Sequence, residues 1–117
     1  MDKKKVYLET SIISYLTARP SSHLIAAAWQ KTTLDWWENQ RDRFELYVSA
    51  TVIEEIKRGD PGAAARRLDA IENIRLLPVT DTAARLAKAL IDEGAVPRKA
   101  LEDALHIAIS VTHSMDY

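Results

Sequence analysis

Residues 6–16, "VYLETSIISYL", decide the fold. Val6 and Leu8 alternate with Tyr7, the period-two pattern of a half-buried strand. From Ile12 onward the apolar residues follow a helical spacing instead. Between the two patterns stand an acid, Glu9, and two hydroxyl residues, Thr10 and Ser11, which suit the cap of the helix that follows. Open α/β sheets hold their ligands at the carboxyl ends of strands that turn into helices in this way. An acid at that seam is either a solvated surface residue or part of a site.

The rest of the chain repeats the alternation. "KKVYLE" (4–9) is the first strand, "FELYVSA" (44–50) the second, and "IRLLPVT" (74–80), ended by Pro78, the third. Helices are predicted over "IISYLTA" (12–18), "SSHLIAAAWQKTTLDWWENQR" (21–41), "TVIEEIKRG" (51–59) and "DPGAAARRLDAIEN" (60–73). Two more follow in "DTAARLAKALIDEG" (81–94), with Asp81 as its cap, and "PRKALEDALHIAISVTHS" (97–114). The long second helix shows Leu24, Ile25, Ala28, Trp29, Thr32 and Trp36 as one amphipathic stripe, and the last shows Leu101, Ala104, Leu105, Ala108 and Ile109. Strands alternating with helices mean an α/β domain with a central parallel sheet, layered α/β/α.

Bulk properties narrow the classes of function. The 117 residues, 47% apolar and 28% charged, make one globular domain with a real core. The absence of cysteine removes disulfides and thiolate metal sites. "MDKKKVYLE" lacks the apolar centre of a signal peptide, and no apolar run approaches membrane-spanning length, so a cytoplasmic protein is expected. At a formal charge of −1, any polyanion must be met by a local basic patch.

Three acids stand out by position. Glu9 ends the first strand, Glu55 (beside Glu54) follows the second, and Asp103 (beside Glu102) opens the last helix. With strands one and two adjacent and parallel, all three are expected to converge on one cleft at the carboxyl edge of the sheet. Crowded carboxylates resist joint ionisation unless a cation offsets them, so at least one raised pKa is expected without metal. Mg²⁺ takes such oxygen donors and leaves positions for substrate phosphates, which points to phosphodiester hydrolysis. Each acid also has an ordinary role, as a helix former or a favourable charge near a helix start.

Other residues have two readings. His106 shares a helix face with Asp103 and is read as a satisfied core or supporting histidine rather than a ligand. Trp29 and Trp36 are read as core or dimer packing, with Trp37 the best interface residue. Lys57–Arg58 and Arg98–Lys99 are basic pairs that could hold an RNA backbone beside the acids.

Three blocks together, "VYLETSIISYL", "VSATVIEEIKRG" and "KALEDALHIAISVTHSMDY", resemble the PIN-domain nucleases, which include ribonuclease toxins of bacterial toxin–antitoxin pairs. The likeness runs over essentially the whole chain. It implies that Glu9, Glu55 and Asp103 are catalytic metal ligands for Mg²⁺ or Mn²⁺, with Thr10 and Ser11 contacting phosphate or water. It further implies an endoribonuclease acting on RNA, often a homo-oligomer such as a dimer, and often held inactive by an antitoxin. The sequence departs from the family where Glu9 replaces the usual Asp. It also ends at Tyr117, before the strand expected to follow beside strand one. Those departures suit a second class of function, a catalytically impaired PIN-like binding module. They also leave strand one as an expected open edge, which favours pairing with another chain.

Overall fold

In the computed structural model, which describes residues 2–117, three strands form a parallel sheet in the order β1-β2-β3. They are β1 (Lys4–Tyr7), β2 (Phe44–Ser49) and β3 (Arg75–Leu77). Helices α1 (Thr10–Thr17) and α2 (Leu24–Asn39) lie between β1 and β2, and α3 (Ala50–Ile56) and α4 (Pro61–Ala70) between β2 and β3. Helices α5 (Asp81–Asp92) and α6 (Leu101–Thr112) follow β3.

Alternation along the strands sends side chains to both faces, and each face has its own core. Val6, Leu8, Leu46 and Val48 pack with Ile13 of α1, Val52 and Ile56 of α3, and Leu68 of α4. On the opposite face Tyr7 and Tyr47 meet Ala83 and Ala87 of α5 and Ala104, Ala108 and Ile109 of α6. The alanines let α5 and α6 approach closely, which seats α6 against the sheet. The layering is α/β/α, as the sequence pattern requires.

Chain punctuation differs from expectation at two helix starts. α1 is capped by Glu9, whose carboxyl accepts from the Ile12 amide at 3.2 Å, and not by Thr10 or Ser11. Glu9 holds extended backbone angles while Thr10 is already helical, so only the Glu9 side chain is placed to cap. Likewise the Thr80 hydroxyl caps α5, leaving Asp81 in the first turn where the helix dipole favours it.

Helix α2 departs further. All 16 of its residues keep some exposure, and Leu24, Ile25 and Trp29 are mostly in solvent. The expected stripe turns inward only near its end, where Trp36 packs on Phe44. Trp37 is half-buried under the Arg41 guanidinium, so Trp29 is the more exposed tryptophan. α2 is displaced because the sheet is short and α1 and α3 already cover its central apolar positions.

The outer edge of β1 is partly covered. The Tyr7 amide donates to the Tyr117 carbonyl and the Tyr117 amide to the Lys5 carbonyl, the bonds a parallel neighbour makes around Val6. The Lys5 amide donates to the Asp116 carboxyl at 2.8 Å. The open edge expected from sequence is therefore closed at Lys5 and Tyr7. Removing Asp116 and Tyr117 should expose the Lys5 and Tyr7 amides to fast hydrogen exchange. Leu8, whose amide bonds the Tyr47 carbonyl inside the sheet, should stay protected. Equal loss at Leu8 would show that the last two residues support the whole strand rather than its edge.

Candidate acidic site at the sheet edge

The register Tyr7↔Tyr47 brings the ends of β1 and β2 out together, so the starts of α1 and α3 share one edge. From β1 and the start of α1 come Tyr7, Glu9 and Thr10; from β2 and α3 come Ser49 and Glu55; from α6 come Glu102 and His106. Arg67 of α4 fixes the end of α3 by donating from Nε and Nη2 to the Ile56 carbonyl and from Nη2 to the Arg58 carbonyl. Gly59, at φ 83°, makes the turn after it, a conformation that side chains disfavour. Glu55 is thereby held one residue inside a fixed helix end.

Glu55 is the centre of the site. Thr10 donates its hydroxyl to Glu55 Oε1 at 2.6 Å, and His106 Nε2 lies 2.6 Å from the same oxygen. The other imidazole nitrogen, Nδ1, lies 2.6 Å from the Tyr7 hydroxyl, which is 2.7 Å from Ser49 Oγ. Ser49 is fully buried and also caps α3 by accepting from the Val52 amide. His106 is buried as well, and the reading of it as a satisfied supporting residue matches this geometry.

Charge at the site is uneven. Burial pushes the Glu55 carboxyl above its ordinary value, and the neighbouring Glu102 carboxyl adds to the rise. Thr10 and His106 oppose it. Glu102 is held low, first by its hydrogen bond with Glu55 and then by Arg58, whose guanidinium lies 2.8 Å away. The two neighbouring carboxyls are therefore pushed in opposite directions, Glu55 up and Glu102 down, so Glu55 is the one that holds a proton more readily. Burial also pushes the Tyr7 hydroxyl up to about 12, with the Glu55 and Glu9 charges adding to the effect. Tyr7 stays protonated.

The other expected site residues are arranged less tightly. Asp103 is exposed in the first turn of α6, and the α6 acid that meets Glu55 is its neighbour Glu102. Ser11, Lys57, Arg98 and Lys99 are exposed, Glu54 is exposed where Glu55 is not, and Arg58 is engaged by Glu102. Sequence reasoning passed over Tyr7 and Ser49. Their signal was available: both are hydroxyl residues near strand ends. Glu102 also had one, standing four residues before His106 on the same helix face.

Whether these residues suit Mg²⁺ or Mn²⁺ can be judged from the donors. Among the described residues no three His, Cys, Asp or Glu side chains stand close enough to cage an ion. Magnesium, however, is commonly held by one or two carboxylates together with waters and substrate phosphates. Two neighbouring carboxyls, one pushed up and one down, suit an ion shared with substrate rather than a closed cage. No protein family, curated protein or solved structure matches this chain.

The raised Glu55 has a consequence for stability. The folded state holds this proton more tightly than the unfolded chain does. Its contribution is full below the ordinary value of 4.5 and is lost as pH rises through the folded value. Glu55→Gln imitates the protonated form, able to accept from Thr10 and His106 and donate to Glu102. It should melt higher than the parent at neutral pH, with the difference closing below pH 4.5. A melting-temperature gap that is constant across pH would mean that Glu55 is not the titrating group.

Proposed function

We propose that this chain is a metal-dependent endoribonuclease of the PIN type that hydrolyses RNA phosphodiester bonds with Mg²⁺ or Mn²⁺. The observation that supports this most is the side-chain cluster at the carboxyl edge of the sheet, where Thr10 and His106 both bond Glu55 Oε1 and Glu102 lies beside it. Glu55 and Glu9 would hold the ion from the strand ends, with Asp103 and Glu102 on the α6 side. Bound there, the ion supplies a Lewis acid that stabilises charge developing at the phosphodiester. The chain's own residues do the rest. Thr10 and His106 fix Glu55 through Oε1. Ser11 and the exposed cations Lys57, Arg58, Arg98 and Lys99 meet the RNA phosphates, with Arg58 exchanging Glu102 for them.

The same resemblance supports a toxin of a toxin–antitoxin pair, working in the cytoplasm and neutralised by an antitoxin. No helix among the described residues is long and apolar enough to cross a membrane. The exposed Leu24, Ile25 and Trp29 of α2 favour a homo-oligomer, since clustered apolar surface is commonly covered by another chain.

A second reading, a catalytically impaired binding module, is favoured by the lack of an assembled three-acid cage among the described residues and by the use of Glu9 as a helix cap. Cleavage of mixed RNAs with and without Mn²⁺ separates the two. The nuclease should cut only with metal, and Glu55→Gln should lose at least about 100-fold, the upper end of what a metal site's supporting partners cost. Mn²⁺ at about 100 times its Kd should stabilise the fold by about 2.7 kcal/mol, and Asp103→Asn should remove that gain. RNA binding without cleavage would leave the binding module standing.

A further inference from the structure

We propose that Tyr7 and Ser49 are positioning residues for Glu55. A relay of hydrogen bonds from Ser49 through Tyr7 holds His106 in its Nε2-protonated tautomer, and this leaves one oxygen of the Glu55 carboxyl for a ligand. The inference rests on Glu55 being an acid of the cation site.

Hydrogen-bond directions follow from counting donors. The Ser49 hydroxyl has one hydrogen and accepts one bond from the Val52 amide. Among the described residues its hydrogen has one acceptor in reach, the Tyr7 oxygen at 2.7 Å. If Tyr7 donated to Ser49 instead, the Ser49 hydrogen would be stranded without an acceptor in a fully buried place, which is costly. Ser49 therefore donates to Tyr7. Tyr7 has one hydrogen and must give it to Nδ1, 2.6 Å away. A neutral imidazole that accepts at Nδ1 carries its proton at Nε2, and that proton points at Glu55 Oε1.

The consequence falls on the carboxyl. Oε1 receives both the His106 N–H and the Thr10 hydroxyl, so its two lone pairs are taken. Oε2 is the oxygen left to face Glu102 or a cation. The reversed tautomer would present a lone pair to Oε1, repel the carboxylate and free it to turn. Partners that fix a ligand's orientation in this way usually govern metal affinity and activity by about 10–100-fold. The raised pKa of Tyr7 agrees with a hydroxyl that stays a donor.

The test uses the full chain, free of metal, with nitrogen-15 in its histidines. Long-range proton–nitrogen correlation spectra at neutral pH distinguish the two neutral tautomers, and His106→Gln assigns the signal. The expected spectrum shows His106 protonated at Nε2 alone. A proton on Nδ1, or a mixture, overturns the relay, and this result needs no variant to fold. Tyr7→Phe keeps the ring and removes the donor; Nδ1 then loses its hydrogen bond, and its nitrogen-15 shift should move toward that of an unbonded imidazole nitrogen. Mn²⁺ binding, followed by broadening of amide signals around Glu55, should weaken about 10-fold or more. An unchanged Nδ1 shift in folded Tyr7→Phe also overturns the proposal. If the parent shows the expected tautomer but binds no Mn²⁺, the relay stands and the cation reading of the site fails.

Discussion

The parallel register between β1 and β2 is the constraint on which the rest depends. Val6 lies against Leu46 and Tyr7 against Tyr47, so both strands end at one level and hand the chain to α1 and α3 side by side. A shift of one residue would send Tyr7 to the opposite face and Leu8 out of the core. That shift is prevented by the burial of Leu8, Val48 and Val52, each exposed by 2% or less. Full burial of side chains like these stabilises by about 1.5–3 kcal/mol each. The hydrophobic choice of register therefore also places Thr10 within a hydrogen bond of Glu55, 45 residues away in sequence.

The second constraint is how α6 is seated. Four alanines, Ala83, Ala87, Ala104 and Ala108, bring α5 and α6 close and press α6 to the sheet. His106 then reaches between Tyr7 and Glu55, and Glu102 follows one turn earlier on the same face. Larger side chains at these alanines would lift α6 and separate the carboxyl pair. The electrostatics of the site thus depend on packing at positions that carry no charge.

Much of this was legible in the sequence because strand and helix periods differ so clearly across Glu9. The three strands and the parallel arrangement follow from local pattern, whereas the choice of Glu55 over Glu54 rests on the family resemblance alone. What was not legible depends on side-chain reach. Whether Glu9 or Thr10 caps α1 turns on where helical backbone angles begin, by a single residue. Which α6 acid meets Glu55 turns on helix rotation, since Glu102 and Asp103 differ by about 100° around the axis at 3.6 residues per turn. The α2 stripe misled for another reason: its period is helical, but the sheet is too narrow to cover it. Periodicity reports the shape of a face, not the presence of something to bury it.

Glu9 shows how an acid at the strand–helix seam serves the fold. An aspartate would cap a helix with less chain to order, yet here a glutamate curls back to the Ile12 amide through Oε1. Glu55 behaves alike, with Oε1 tied to Thr10 and His106. In both acids one oxygen is anchored to the protein. Anchoring limits rotation, so each carboxylate is ordered by the fold itself. The longer Glu9 side chain fits this arrangement: its reach lets one end secure α1 while the carboxylate still acts on Tyr7 beside Glu55.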